Sequence, residues 1–131
     1  ATYYGEELNQ AIVNYFSRFG IGPELMPGLS ATGESAGLYT TSLRALDEVS
    51  HTDVYRHCRK ALQNMRPVAA VYINGGGGDA APAIEFLEHD LKIKIVWALA
   101  AEMWFTYHLL KIDNPVPRGG MLLSGNYAPA V

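Results

Sequence analysis

Apolar residues recur along this chain in several distinct rhythms. Near the start, Leu8, Ala11, Ile12, Tyr15, Phe16 and Phe19 fall three or four apart, the spacing that gathers side chains on one side of an α-helix. Glu6 and Glu7 favour the positive end of a helix dipole, and Gly20 suits a left-handed stop. The pattern predicts a helix from Tyr4 to Phe19. A second helical stripe runs through Val54, Cys58, Ala61, Leu62 and Met65. Ser50 and Asp53 precede it at capping-box spacing, with Asp in place of the usual Glu, and Pro67 ends it. This predicts a helix from His51 to Met65.

The rhythm then shortens. Val68 to Ile73 is a continuous apolar run rich in β-branched residues, which reads as a buried strand. After four glycines, Leu87, His89, Leu91, Ile93, Ile95, Trp97 and Leu99 occupy odd positions, while Glu88, Asp90, Lys92 and Lys94 occupy even ones. Period two with charge on one face predicts a long amphipathic strand from Phe86 to Ala98. Ala100, Met103, Trp104, Tyr107 and Leu110 restore the helical period, predicting a helix from Ala100 to Lys111 that "DNPVPRGG" stops. "LYTTSLRALDEV" is readable as strand or as short helix. "GIGPELMPGLSATGESAG", Gly20 to Gly37, holds no regular period and reads as a long irregular loop. "MLLSGNYAPAV" reads as a short last strand or an extended C-terminal tail. The expected class is α+β: a small antiparallel sheet on two or three helices, in one domain spanning residues 1–131.

Composition narrows the function. Of 131 residues, 49% are hydrophobic, enough for a core without disulfides. The net charge is −3 and the ten Lys and Arg residues are scattered, so no sequence-specific nucleic-acid contact is expected. One cysteine, Cys58, excludes an internal disulfide and a multi-cysteine zinc site. "ATYYGEELNQ" lacks the features of a signal peptide, and the most apolar window, Ile95 to Ile112, carries Glu102 and His108 and is short for a membrane span. The expectation is a soluble product, assembled inside a cell, without metal or cofactor.

The candidate chemistry is sparse. Gly75, Gly76, Gly77, Gly78 and Asp79 admit two readings. They form a phosphate cradle if a strand precedes them and a helix follows, because helix amides then meet an anion. They form a slack connection between antiparallel strands if a strand follows. The alternation after Glu88 favours the second, as does the absence of a P-loop Lys and Ser/Thr. Asp53 and His57 lie one helical turn apart beside Cys58, a possible metal pair or oriented base that lacks a third ligand. Glu88, His89 and Asp90 form an acid-base cluster, but on a strand His89 points away from its neighbours. Glu102 and His108 are six apart and do not face one another on a helix.

The opening helix "EELNQAIVNYF", the strand "RPVAAVYINGG", the loop "GGGDAAPAIEF" and the alternating segment "EHDLKIKIVWALAA" followed by a helix resemble, in that order, the tail terminator proteins of long-tailed bacteriophages. The resemblance covers about half of the chain. It implies a structural virion protein without enzymatic activity, assembled in the host cytoplasm. Such a subunit closes into a homo-oligomeric ring, expected to be hexameric, that joins the tail tube to the head-connector proteins. Lys92 and Lys94 would then line the channel. The alternative is a small-molecule or phosphate-binding enzyme domain using Gly75 to Asp79.

Overall fold

A computed structural model describes residues 6–24, 50–74, 80–113, 115–117 and 119–125. Within them the chain forms five helices and two strands: α1 (Glu6–Ser17), α2 (His51–Leu62), β1 (Ala70–Ile73), α3 (Ala81–Leu91), β2 (Lys94–Trp97), α4 (Ala98–Leu110) and α5 (Gly120–Leu123). The mixture of helix and sheet is as expected. The sheet is not: β1 and β2 pair in parallel, with Ala70 opposite Lys94, Val71 opposite Ile95, Tyr72 opposite Val96 and Ile73 opposite Trp97. Parallel neighbours need a crossover, and α3 supplies it.

The predicted strand from Phe86 to Ala98 is therefore corrected. Its first part, to Leu91, is the end of α3; only Lys94 to Trp97 is strand; and Ala98 already belongs to α4. The reason is arithmetic. Leu87 and Leu91 are buried or half-buried one helical turn apart, while Ile93, Ile95 and Trp97 follow at the two-residue step of a strand. Four and two are both even, so the odd-position parity runs unbroken through the helix–strand boundary. Lys92 marks that boundary. Its φ of 53° is left-handed, a conformation that ends a helix and that side-chain-bearing residues rarely adopt.

The helices begin and end for local reasons. The capping box at α2 is complete: the Asp53 amide donates to Ser50 Oγ at 3.3 Å, and the Ser50 amide donates to Asp53 Oδ2 at 3.1 Å. Pro82 stands in the first turn of α3, where its missing N–H is not needed. Helix α4 leaves β2 without an intervening loop and stops at Lys111, also left-handed, whose amide bonds back to the His108 carbonyl. The segment expected as a last strand or tail instead contains α5. The stretches Leu25–Val49 and Asn126–Val131, with most of the predicted irregular loop and the end of the tail, lie outside the described residues.

The core forms where α2 and α3 pack together and where α3, α4 and α5 close on the strands. Val54 and Cys58 of α2, Ile84 and Leu87 of α3, Val71 and Ile73 of β1 and Ile95 of β2 are all buried. Both strands alternate exposed, buried, half-buried, buried. On the other side of β1, the Phe16 ring of α1 meets Tyr72 edge-on at 5.1 Å.

Candidate functional site

The parallel pairing changes what the glycine run connects. It leaves the carboxyl end of β1 after Asn74 and enters the amino end of α3, so it does not join two antiparallel strands as the alternation had implied. Gly75 to Asp79 themselves lie outside the described residues, but both flanks are defined. On one side the Tyr72 hydroxyl donates to Asn74 Oδ1 at 3.1 Å. On the other, Ala80 is the N-cap of α3 and brings no side-chain oxygen to its first amides. The first turn of any helix has N–H groups without intrahelical acceptors. With Pro82 lacking one, the donors of this turn are carried by Ala81 and Ala83. In open α/β sheets, ligands bind in the crevice beyond the carboxyl ends of parallel strands.

A cleft of about 880 Å³ lies between α1 and the half-exposed side of β1, running from Leu62, Met65 and Pro67 near the amino end of the strand as far as Tyr72. Ile12, Val13 and Phe16 form one wall; Val68, Tyr72 and Val96 contribute to the other. Its size and mostly apolar walls are those of a small-molecule site. Tyr72 and Asn74 did not emerge from the sequence as candidate residues. The legible signal for the site was Pro82 close behind the glycines, the mark of a helix start.

The remaining candidates are dispersed. Asp53 is occupied by the capping box, and Ser50 Oγ also donates to its Oδ2 at 2.7 Å. His57 and Cys58 are buried on the inner side of α2. Burial pushes the Cys58 thiol up to about 11, so at neutral pH it is protonated and no nucleophile. Among the described residues no three His, Cys, Asp or Glu side chains gather as a metal site. Because Glu88, His89 and Asp90 are on a helix, the expectation that His89 turns away from its neighbours is corrected: its Nδ1 lies 3.0 Å from Asp90 Oδ1. Glu88 faces inward and holds backbone amides. His108 stacks on Trp104 at 5.7 Å and not on Glu102.

Lys92 and Lys94 do not share one strand. The first caps α3 and the second opens β2. Together with Arg59 and Arg66 they border a second cleft, of about 560 Å³, where Val68 and Ala69 lead into β1. Glu24 partly balances it by pairing with Arg66 at 3.0 Å. This is the amino end of the sheet, opposite the glycine run. No helix among the described residues is long and apolar enough to cross a membrane.

With this geometry in view, the fold places the chain beside an enzyme. A crystal structure of arylmalonate decarboxylase superposes with a TM-score of 0.74, at 18% sequence identity, over 95% of this chain and 52% of that one. A glycine-to-cysteine variant of arylmalonate decarboxylase in a sulfate-associated form gives a TM-score of 0.73, also at 18% identity, over 94% and 50%. The chain thus spans about half the length of the solved structures it matches. No protein-family model and no curated protein matches the sequence. The likeness is of fold, and it overturns the resemblance to phage tail terminators. The reading as a structural virion component without enzymatic activity falls with it, because the fold is one that carries an enzyme.

Proposed function

We propose that this chain belongs to a small-molecule enzyme whose substrate is a small carboxylic acid, or a similar oxyanion, with an apolar group attached. The anionic end is taken up between the glycine run and the first turn of α3. The apolar group enters the cleft beside Tyr72 and Phe16. One observation carries this reading: the β1–α3–β2 crossover sets the four glycines between the carboxyl end of a strand and the amino end of a helix. There, backbone amides and the helix dipole favour negative charge.

The structural neighbours support the same class. By its name, arylmalonate decarboxylase acts on a dicarboxylate bearing an aromatic group, and its variant was described with an oxyanion, sulfate. Glycines at such a position let backbone approach a ligand closely, since no Cβ intervenes. Preorganised N–H donors of this kind stabilise charge that develops on a carboxylate or enediolate oxygen. Cys58, the chain's one cysteine, lies in the core, so this chain's contribution is anion binding and charge stabilisation and not thiol chemistry.

The test is a titration of phenylmalonate, malonate and phosphate into isotopically labelled protein, read by amide NMR. Shifts at Ala80, Ala81 and Ala83 that saturate, strongest for phenylmalonate and lost in Gly76→Val, are expected. Unmoved amides at millimolar ligand in a folded protein would sink the proposal.

A further inference from the structure

Four cations that stand apart in the chain meet at the amino end of the sheet. Arg59 is in the last turn of α2, Arg66 follows that helix, and Lys92 and Lys94 flank the passage from α3 to β2. The chain has ten Lys and Arg residues and a net charge of −3, yet these four line one cleft of about 560 Å³. Among the described residues that line it there is no Asp or Glu. The cationic residues are exposed, whereas Leu62, Met65, Leu91 and Ile93 between them are half-buried. The cleft thus has a charged rim and an apolar floor. Like charges gathered in a cleft repel one another and focus a positive field, which an entering anion relieves.

The two guanidinium groups are already held in place. Arg59 Nη1 donates to the Tyr55 hydroxyl at 3.0 Å, and its Cζ lies 5.9 Å from the centre of that ring. The hydroxyl donates in turn to Asp90 of α3 at 2.7 Å. Arg66 donates from Nε and Nη2, each at 3.0 Å, to one oxygen of Glu24. A guanidinium carries five N–H donors, so each group keeps others for a ligand. Side chains ordered in advance lose less entropy on binding. Lys92 adds an independent observation. It occupies the left-handed position that ends α3, where glycine is unstrained. A lysine there costs local stability and brings an ammonium group to the cleft.

We infer that this cleft binds a phosphorylated small molecule, its phosphate among the four cations and its carbon skeleton on the apolar floor. Charge selects phosphate over a carboxylate. A phosphate monoester brings up to about two negative charges and three acceptor oxygens, which guanidinium forks match and a single carboxylate does not. The volume falls within the roughly 300–1,000 Å³ of small-molecule pockets. The site is at the opposite end of the strands from the one proposed above and does not rest on it.

The test is amide NMR at constant ionic strength with phenyl phosphate, and with benzoate as the singly charged control. Wild type and Gly76→Val are both titrated, so that any anion binding at the glycine run is recognised. Saturating shifts at Gln63, Ala69 and Ile93 are expected in both proteins, with phenyl phosphate binding about tenfold more tightly than benzoate. Arg59→Gln with Arg66→Gln is expected to weaken phenyl phosphate about tenfold. Should that pair fail to fold, Lys92→Gly gives a separate reading, because it relieves strain. It is expected to raise the melting temperature in phosphate-free buffer and to weaken phenyl phosphate several-fold. Unmoved cleft amides at millimolar phenyl phosphate, equal affinity for benzoate, or variants that bind as wild type each overturn the inference. Shifts confined to Ala81 and Ala83 overturn it too, and leave the proposed function standing.

Discussion

The amide of Met121 donates a 2.8 Å hydrogen bond to Oε2 of Glu88, a residue 33 positions earlier in the chain. The other oxygen of the same carboxylate accepts from the Ile95 amide at 3.3 Å. One buried side chain on α3 thus ties down both β2 and α5. Removing it strands two amides at once, and a buried donor without an acceptor costs about 1–3 kcal/mol. Glu88→Ala should lower the unfolding free energy by at least that much, and Glu88→Gln, which keeps one acceptor, by less. Urea denaturation of the three proteins measures both. Equal stability of all three would mean that Glu88 does not hold these amides.

Gly120 sits against the same carboxylate. Its φ is +72°, and a Cβ placed there would lie 2.6 Å from Ile84 Cγ2 and 3.1 Å from Glu88 Oε2. Ile84 is a buried, branched side chain with little room to move. Gly120→Ala therefore combines left-handed strain, about 1–2 kcal/mol, with overpacking, about 1–3 kcal/mol. The expected loss is about twice that of Gly20→Ala, where a Cβ meets nothing within 4 Å and only the strain applies. Thermal unfolding of the two variants provides the comparison.

Cys58 gives a pH signature with a definite sign. The unfolded thiol releases its proton near 9.0, whereas burial holds the folded one to about 11. Between these values the unfolded chain binds fewer protons than the folded one, so stability falls as pH rises. The contribution is present in full below 9.0 and lost by about 11, amounting to about 3 kcal/mol. Cys58→Ala should be less stable than wild type below this window and should lack this part of the decline within it. Thiol labelling at neutral pH should also occur only as fast as the protein opens.

Asp90 titrates the other way. Hydrogen bonds with His89 and from the Tyr55 hydroxyl, which lies 2.7 Å from Oδ2, hold its carboxyl below the ordinary 3.8. The pairing therefore favours the folded state above that value and weakens as pH falls. Tyr55→Phe should raise the Asp90 pKa toward 3.8 without fully restoring it, because the His89 contact remains. Carboxyl-carbon NMR follows this directly. An unchanged pKa in the variant would dismiss the Tyr55 bond.

Much of the local structure was legible residue by residue. The capping box at Ser50 and Asp53 formed as its spacing required, because both partners lie within one turn and need nothing from the rest of the chain. The helices α1, α2 and α4 and the strand β1 lie within or close to the predicted limits, although α1 turns Leu8, Tyr15 and Phe19 of its apolar stripe outward. The α3–β2 boundary was not legible: a helical step of four and a strand step of two keep the same parity. Misreading it turned the crossover into a ribbon and the glycine run into a slack link, and the functional reading followed.

What the sequence alone determined is therefore local: where α1 and α2 run, that Val68 to Ile73 holds a strand, and that Cys58 belongs to a buried stripe. The direction in which β1 and β2 pair was decided by tertiary structure, because strand polarity depends on whether the intervening segment crosses over, which a period-two pattern does not encode. The same holds for Glu88, a polar residue by its letter and a buried tie by its surroundings. It holds too for Arg59, Arg66, Lys92 and Lys94, which are scattered along the chain and share a cleft only once it folds.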